Sequence, residues 1–283
     1  MIDKATEENQ LDVKKLKVIA DQRRLDVLEM DYASKCGHIG GAMSCMEILT
    51  CLYYAVMDVD KIIAHHEDRD RFIMSKGHAT EALYSVLGDK GFFPKEELKT
   101  YARFGTRLPE HPSKKLSGIE IATGALGHGA SAGVGMAIGL KHKNQAHVYV
   151  LMGDGEQAEG SIWEAAMSAA KYKLDNLTMI IDRNRLEISG DTEDVMPLDS
   201  LSDKYRAFGF HVIECDGHNP RELCVALKTR VKDKPVAIIA NTVKGKGISF
   251  MENKAGWHHM VPTEANCETA RYEIMCRMNG AEQ

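Results

Sequence analysis

Gly153-Asp-Gly-Glu-Gln-Ala-Glu-Gly160 and, further along, Asp182-Arg-Asn184 decide how this chain folds. Each follows a short apolar run, His147–Met152 before the first and Leu177–Ile181 before the second. Between them Ser161–Tyr172 reads as a helix, so the stretch is a strand, a helical crossover and a strand. The same alternation continues outward. Phe210–Glu214 reads as a strand, Pro220–Val231 as a helix and Val236–Asn241 as a strand. Upstream, Arg71–Met74 is a further strand candidate. Helices are expected over Leu11–Tyr32, Met43–Val56 and Thr80–Leu87, with a short one over Pro94–Ala102. Ala125–Lys141 is rich in Gly and Ala, which suits a helix packed close to its neighbours. A glycine-rich turn covers Cys36–Gly41, and a loop with Pro109 and Pro112 covers Gly105–Ser117. Val- and Ile-rich strands joined by helices imply an α/β fold: a mostly parallel central sheet with helices on both faces. With no internal repeat or low-complexity linker, residues 1–283 read as one domain.

In such sheets ligands lie beyond the carboxyl ends of the strands. Asp154 and Asn184 each stand just past a strand of one βαβ unit, so the fold brings their tips together. Asp154 offers a carboxylate, Asn184 an amide oxygen and Leu186 a backbone carbonyl. With diphosphate oxygens and a water, these three complete an octahedron of hard donors that suits Mg2+, or else Ca2+ or Mn2+. Gly153 and Gly155 allow the backbone close to phosphate, and a helix starting near Gly160 turns N–H groups toward negative charge.

Composition removes other classes. The chain has 283 residues and a formal net charge of -5 with no basic stripe, which argues against a nucleic-acid partner. Its most apolar stretch, Gly41–Met57, is interrupted by Glu47 and too short to span a bilayer. Met1–Gln10 is polar and acidic, unlike a secretory signal. Seven cysteines without a C-x-x-C pair point to a reducing, cytoplasmic setting.

The segment from Gly153 to Asn184 resembles the thiamine diphosphate motif of the transketolases. Further segments match that family in the same order: Cys36-Gly-His-Ile-Gly-Gly41, Ser75-Lys-Gly-His-Ala79, Pro109-Glu-His-Pro112, Thr123-Gly-Ala-Leu-Gly-His-Gly129, Thr242-Val-Lys-Gly-Lys-Gly247 and Trp257-His258. The Pro109 segment corresponds to the family's Gly-His-Pro-Glu loop. The resemblance runs from about Leu16 to about Glu264.

The resemblance implies thiamine diphosphate as cofactor and transfer of a two-carbon ketol unit from a ketose phosphate to an aldose phosphate. It assigns His78 and His258 to the diphosphate, and His38 and His111 to the sugar's oxygens. Gly124, Ala125, Leu126, Gly153, Asp154, Gly155, Glu156, Asn184 and Lys246 complete the implied cofactor contacts. His38, His111, His258 and Glu159 are the implied catalytic residues, Glu159 from a dimer contact behind the cofactor. The family's glutamate that activates the pyrimidine ring belongs to a second domain without counterpart here. A separate C-terminal subunit carrying that domain is therefore expected, in a heterotetramer with two copies of each chain. The sugar is left open. His128 and His259 receive no role, and Ile39-Gly40-Gly41 departs from the family's Pro-Gly-Ala. The same cofactor also serves α-type subunits of 2-oxoacid dehydrogenases and the deoxyxylulose-phosphate synthase branch, and a non-catalytic regulatory subunit is a further alternative.

Overall fold

The computed structural model describes residues 12–143 and 145–280. Leu11 and the Met1–Gln10 stretch lie outside the described residues. Five strands form one sheet: β1 (Arg71–Met74), β2 (Val148–Gly153), β3 (Leu177–Arg183), β4 (His211–Asp216) and β5 (Val236–Asn241). Their order is β1-β2-β3-β5-β4, and every pairing is parallel. The register sets Gly153 opposite Asp182, so the turns that begin at these residues leave the sheet side by side.

All residues of β2 and β3 are buried, which explains their nearly continuous apolar reading. Side chains alternate between two cores. Tyr149, Leu151 and Ile180 face a larger core with Leu28, Met46 and Leu83. Val148, Val150, Met179 and Ile181 face a second core with Ala166 and Ala169. Each fully buried Leu, Ile or Met here contributes roughly 1.5–3 kcal/mol. The helix His128–Leu140 lies on the second face, and a Cβ at Gly133 would stand 2.4 Å from Val150 Cγ2. That contact is why the segment is rich in small residues.

The helix expected over Met43–Val56 is broken. Ile39–Ser44 and Met46–Cys51 are separate helices, and Leu52–Val56 winds into a wider π-helical turn. Ser44 Oγ donates to Asp182 Oδ2 at 2.6 Å and to Gly41 O at 3.0 Å, tying the break to the end of β3. The Cys36–Gly41 turn is correspondingly shorter than expected, because Ile39 already starts a helix. Gly37 keeps the turn conformation at φ 139°, and a Cβ there would collide with Asp31. The expected helix over Pro94–Ala102 is instead a 3₁₀ turn, Lys95–Thr100. A last helix, Glu264–Met278, buries fully only Cys267, Ala270 and Ile274, a stripe too narrow to announce itself in sequence. Among the described residues no helix is long and apolar enough to cross a membrane.

Candidate diphosphate and metal site

A cleft of about 460 Å³ opens at the carboxyl ends of β2 and β3. Asp154, Asn184 and Leu186 line it, together with Gly153, Gly155, Gly124, Leu126, His78 and His258. Asp154 is 2% exposed. Its Oδ1 accepts from the Gly155 N–H at 2.9 Å and its Oδ2 from the Arg185 N–H at 2.5 Å. Burial raises the Asp154 pKa, and the nearby Asp182 carboxylate raises it further. A carboxylate held there is stabilised as an anion by a cation beside it. Asn184 Oδ1 accepts from the Leu186 N–H at 3.1 Å, which fixes the amide oxygen toward the turn.

Arg183 Nη1 lies 3.3 Å from Asp154 Oδ2, and two lysines that sequence reasoning passed over add further positive charge. Lys76, 1% exposed, donates to Gly41 O at 3.0 Å and pairs with Asp182. Burial alone lowers its pKa, but the Asp182 carboxylate outweighs it and the net shift is upward. Lys244, 2% exposed, donates to Leu186 O at 2.8 Å and lies 2.7 Å from His258 Nδ1. Burial, and then Lys76, lower its pKa to about 8. Both lysines, like Asp182, lie inside the motifs that carry the family resemblance. Their burial was the signal that sequence lacked.

Lys246 is placed elsewhere. The Gly245 N–H donates to Gly40 O at 3.0 Å, and Gly245 itself turns at φ 76°. That turn sends Lys244 into the cleft and Lys246 outward, where it pairs with Glu252 at 3.1 Å beside a separate cavity of about 970 Å³. Ala125 faces solvent, whereas Gly124 and Leu126 on either side line the cleft. Glu156 is spoken for by the protein: its oxygens accept from the Ser75 hydroxyl, from Gly127 N–H at 2.7 Å and from Gly153 N–H at 3.0 Å. The helix Gly160–Lys171 starts one short 3₁₀ turn (Gly155–Ala158) after the strand, so Gly155, rather than Gly160, borders the cleft. Glu159 lies exposed at its rim.

The motif histidines converge. The His38 ring stands 5.4 Å from His78, 6.0 Å from His111 and 5.8 Å from His258, and His78 stacks on His258 at 5.3 Å. His259, which sequence left without a role, is nearer still to His38, at 4.7 Å. Burial and then His259 lower the His38 pKa to about 4. Burial and then Lys244 lower that of His258 to about 3, and burial and then Lys76 hold His78 well below the usual range. These three are neutral imidazoles near neutral pH, able to donate at one nitrogen and accept at the other. Glu81 Oε1 accepts from the His38 backbone N–H, anchoring that turn. His128 stays exposed at its helix start, while His147 and His218 bond inside the protein, to Thr178 and Glu47.

The donor set fits a divalent ion and a diphosphate. Asp154, Asn184 and Leu186 line the cleft with hard oxygen donors, the Leu186 carbonyl accepting from Lys244 Nζ at 2.8 Å, and Glu187 Oε1 is buried beside them without a hydrogen-bond partner. The fold and the cleft thus define an α/β chain with a polar cleft at the tips of a parallel sheet, lined by donors that suit a divalent ion and a diphosphate.

Residues 15–275 match the family of the transketolase thiamine diphosphate binding domain. An apulose-4-phosphate transketolase subunit of Phocaeicola vulgatus is 47% identical over 276 residues, covering 96% of this chain and 98% of that protein. A 6-deoxy-6-sulfo-D-fructose transketolase subunit of Clostridium is 44% identical over 242 residues, 84% of this chain and 88% of that one. Rat transketolase is 41% identical over 249 residues, but these make up only 39% of its length. The solved transketolase of Leishmania mexicana superposes with a TM-score of 0.84 at 30% identity, covering 92% of this chain and 41% of that chain. The chain belongs to the transketolase family. Its cofactor is thiamine diphosphate with a divalent metal, and the chemistry it serves is ketol transfer.

Proposed function

We propose that this chain is the diphosphate-binding subunit of a split transketolase, folded as one domain over residues 1–283 and completed by a separate chain with the pyrimidine-binding half. Two copies of each chain form the active assembly. The substrates are a ketose phosphate donor and an aldose phosphate acceptor, and the setting is the cytoplasm, in keeping with the free cysteines. One observation carries this reading: the Phocaeicola relative, itself named as one subunit of a transketolase, is matched along 98% of its length, whereas whole transketolases are matched along about two fifths.

Thiamine diphosphate, when bound, supplies the nucleophilic carbon and the electron sink for breaking the bond beside a ketone. The residues of this chain do the rest. Asp154, Asn184 and the Leu186 carbonyl would hold the metal ion. Lys244, His78 and His258 face the diphosphate with N–H donors. His38 and His111 face the sugar, where a neutral imidazole donates to a carbonyl oxygen or accepts a hydroxyl proton. Glu159, exposed at the rim, meets the second chain and joins the two halves of the site.

The test is reconstitution. The purified chain, loaded with Mg2+ and thiamine diphosphate, is assayed alone and with the candidate partner on xylulose 5-phosphate, apulose 4-phosphate and 6-deoxy-6-sulfofructose. Turnover should appear only in the mixture. A chain that turns over ketose donors unaided at an ordinary enzyme rate would sink the split assignment.

A further inference from the structure

A second cluster of ligating side chains lies at the sugar-facing mouth of the cleft, apart from Asp154 and Asn184. His38, Glu110 and His259 each offer one ligand atom, and these atoms all lie within 4.8 Å of one another. We propose that His38, Glu110 and His259 form a second metal site, selective for a transition ion of the zinc class.

Three features of the structure carry it. Atoms no more than 4.8 Å apart all lie within about 2.8 Å of a common point, and zinc bonds to nitrogen and carboxylate oxygen are about 2.0–2.2 Å. Each ligand therefore moves inward by less than about 1 Å. The parts able to move are the right ones: His259 is exposed, and Glu110 sits in the Gly105–Ser117 loop. His38, by contrast, is fixed by the Glu81 carboxylate on its backbone N–H and by the helix that starts at Ile39. The second feature is ligand chemistry. Two imidazoles and one carboxylate are the donor set of zinc, cobalt and nickel, whereas the all-oxygen site of Asp154, Asn184 and Leu186 suits magnesium. The two ions thus sort themselves between the two ends of the cleft. The third is that Glu110 and His259 are additions to the motifs. Glu110 replaces the glycine of the Gly-His-Pro-Glu pattern, and His259 directly follows the matched His258. Three protein ligands leave a fourth tetrahedral position open.

An ion bound there commits His38 to the metal and withdraws it from the sugar. Zinc-class ions are accordingly reversible inhibitors, and magnesium is not. This consequence rests on the ketol-transfer reading above; metal binding does not.

The experiment therefore measures binding first. The full chain, holding Mg2+ and thiamine diphosphate, is titrated with Co2+ while its visible absorption is followed, and with Zn2+ by calorimetry. One ion per chain should bind, with the intense absorption of tetrahedral cobalt, and excess Mg2+ should not displace it. Glu110→Gln and His259→Asn should each weaken binding by at least about tenfold, with melting temperature and thiamine diphosphate affinity showing that the fold is kept. No cobalt absorption, or a signal that survives both substitutions, overturns the site. With the partner present, Zn2+ should inhibit the wild-type pair and spare either variant. Equal inhibition of all three would place the inhibitory ion elsewhere and overturn the regulatory consequence.

Discussion

The two ends of the cleft are built differently. At the diphosphate end, Asp154, Asn184, Lys76, Asp182 and Lys244 are all at most 5% exposed and sit at or just past strand ends. Nearly every polar atom there is committed: Asp182 alone accepts from Lys76, Ser44 and Thr242. At the sugar-facing mouth, His111 and His259 are exposed and come from loops. Sheet register sets the first end, because parallel pairing fixes which tips are neighbours. The second end is not set by sheet register: there only His38 is anchored, by Glu81 and by the helix that starts at Ile39.

The sharpest way to break this contrast is at the buried pair. Asp182→Ala leaves the Lys76 ammonium in a dry site, bonded to Gly41 O but without its counter-charge. Loss of one partner of a buried ion pair costs about 3–5 kcal/mol, and urea unfolding should show it. A loss under about 1 kcal/mol would mean the diphosphate end is as loosely held as the mouth. Asp154→Ala comes next. Even groups that merely support a metal ligand contribute 10–100-fold to affinity, so removing the ligand should weaken thiamine diphosphate binding in Mg2+ by about 100-fold or more. Calorimetry measures this, and chelation of the ion from the unaltered chain should reproduce it.

A pH experiment examines the link between the two ends. Glu81 anchors the His38 turn, and its pKa is raised to about 7 from 4.5, chiefly by burial. The folded chain therefore binds this proton more tightly than the unfolded chain does. Its contribution is present in full below pH 4.5 and is lost as pH rises through about 7. The stability of wild type relative to Glu81→Gln should thus fall between those limits, and a relative rise would contradict the burial argument. The smallest effect belongs to Lys246. Lys246→Met removes a partly buried pair at the surface worth at most about 1 kcal/mol and should leave cofactor affinity unchanged. Lys244→Met should weaken it measurably in the same titration.

Much of the diphosphate end is legible in the sequence. Asp154, Asn184 and Leu186 stand out because they follow recognisable strands in one βαβ unit, and β2 and β3 announce themselves by composition. The choice between Lys244 and Lys246 is not legible there. Both flank Gly245 in one short motif, and only the positive φ at Gly245 and its backbone bond to Gly40 decide which one points inward. The broken helix after His38 is equally hidden. Its apolar pattern runs past Ser44 with no stop signal at the break, and Ser44 at that break reaches Asp182, which is 138 residues away along the chain.

What the sequence determined by itself was the parallel sheet, the family and the ligand types, since these follow from local pattern and from residue chemistry at fixed spacing. Tertiary structure alone decided which charges are buried together, and it drew His259 and Glu110 to the side of His38. Such placements depend on segments far apart in the chain meeting in one dry volume. No local periodicity encodes that meeting, because the energy that enforces it belongs to the packed core and not to any one segment.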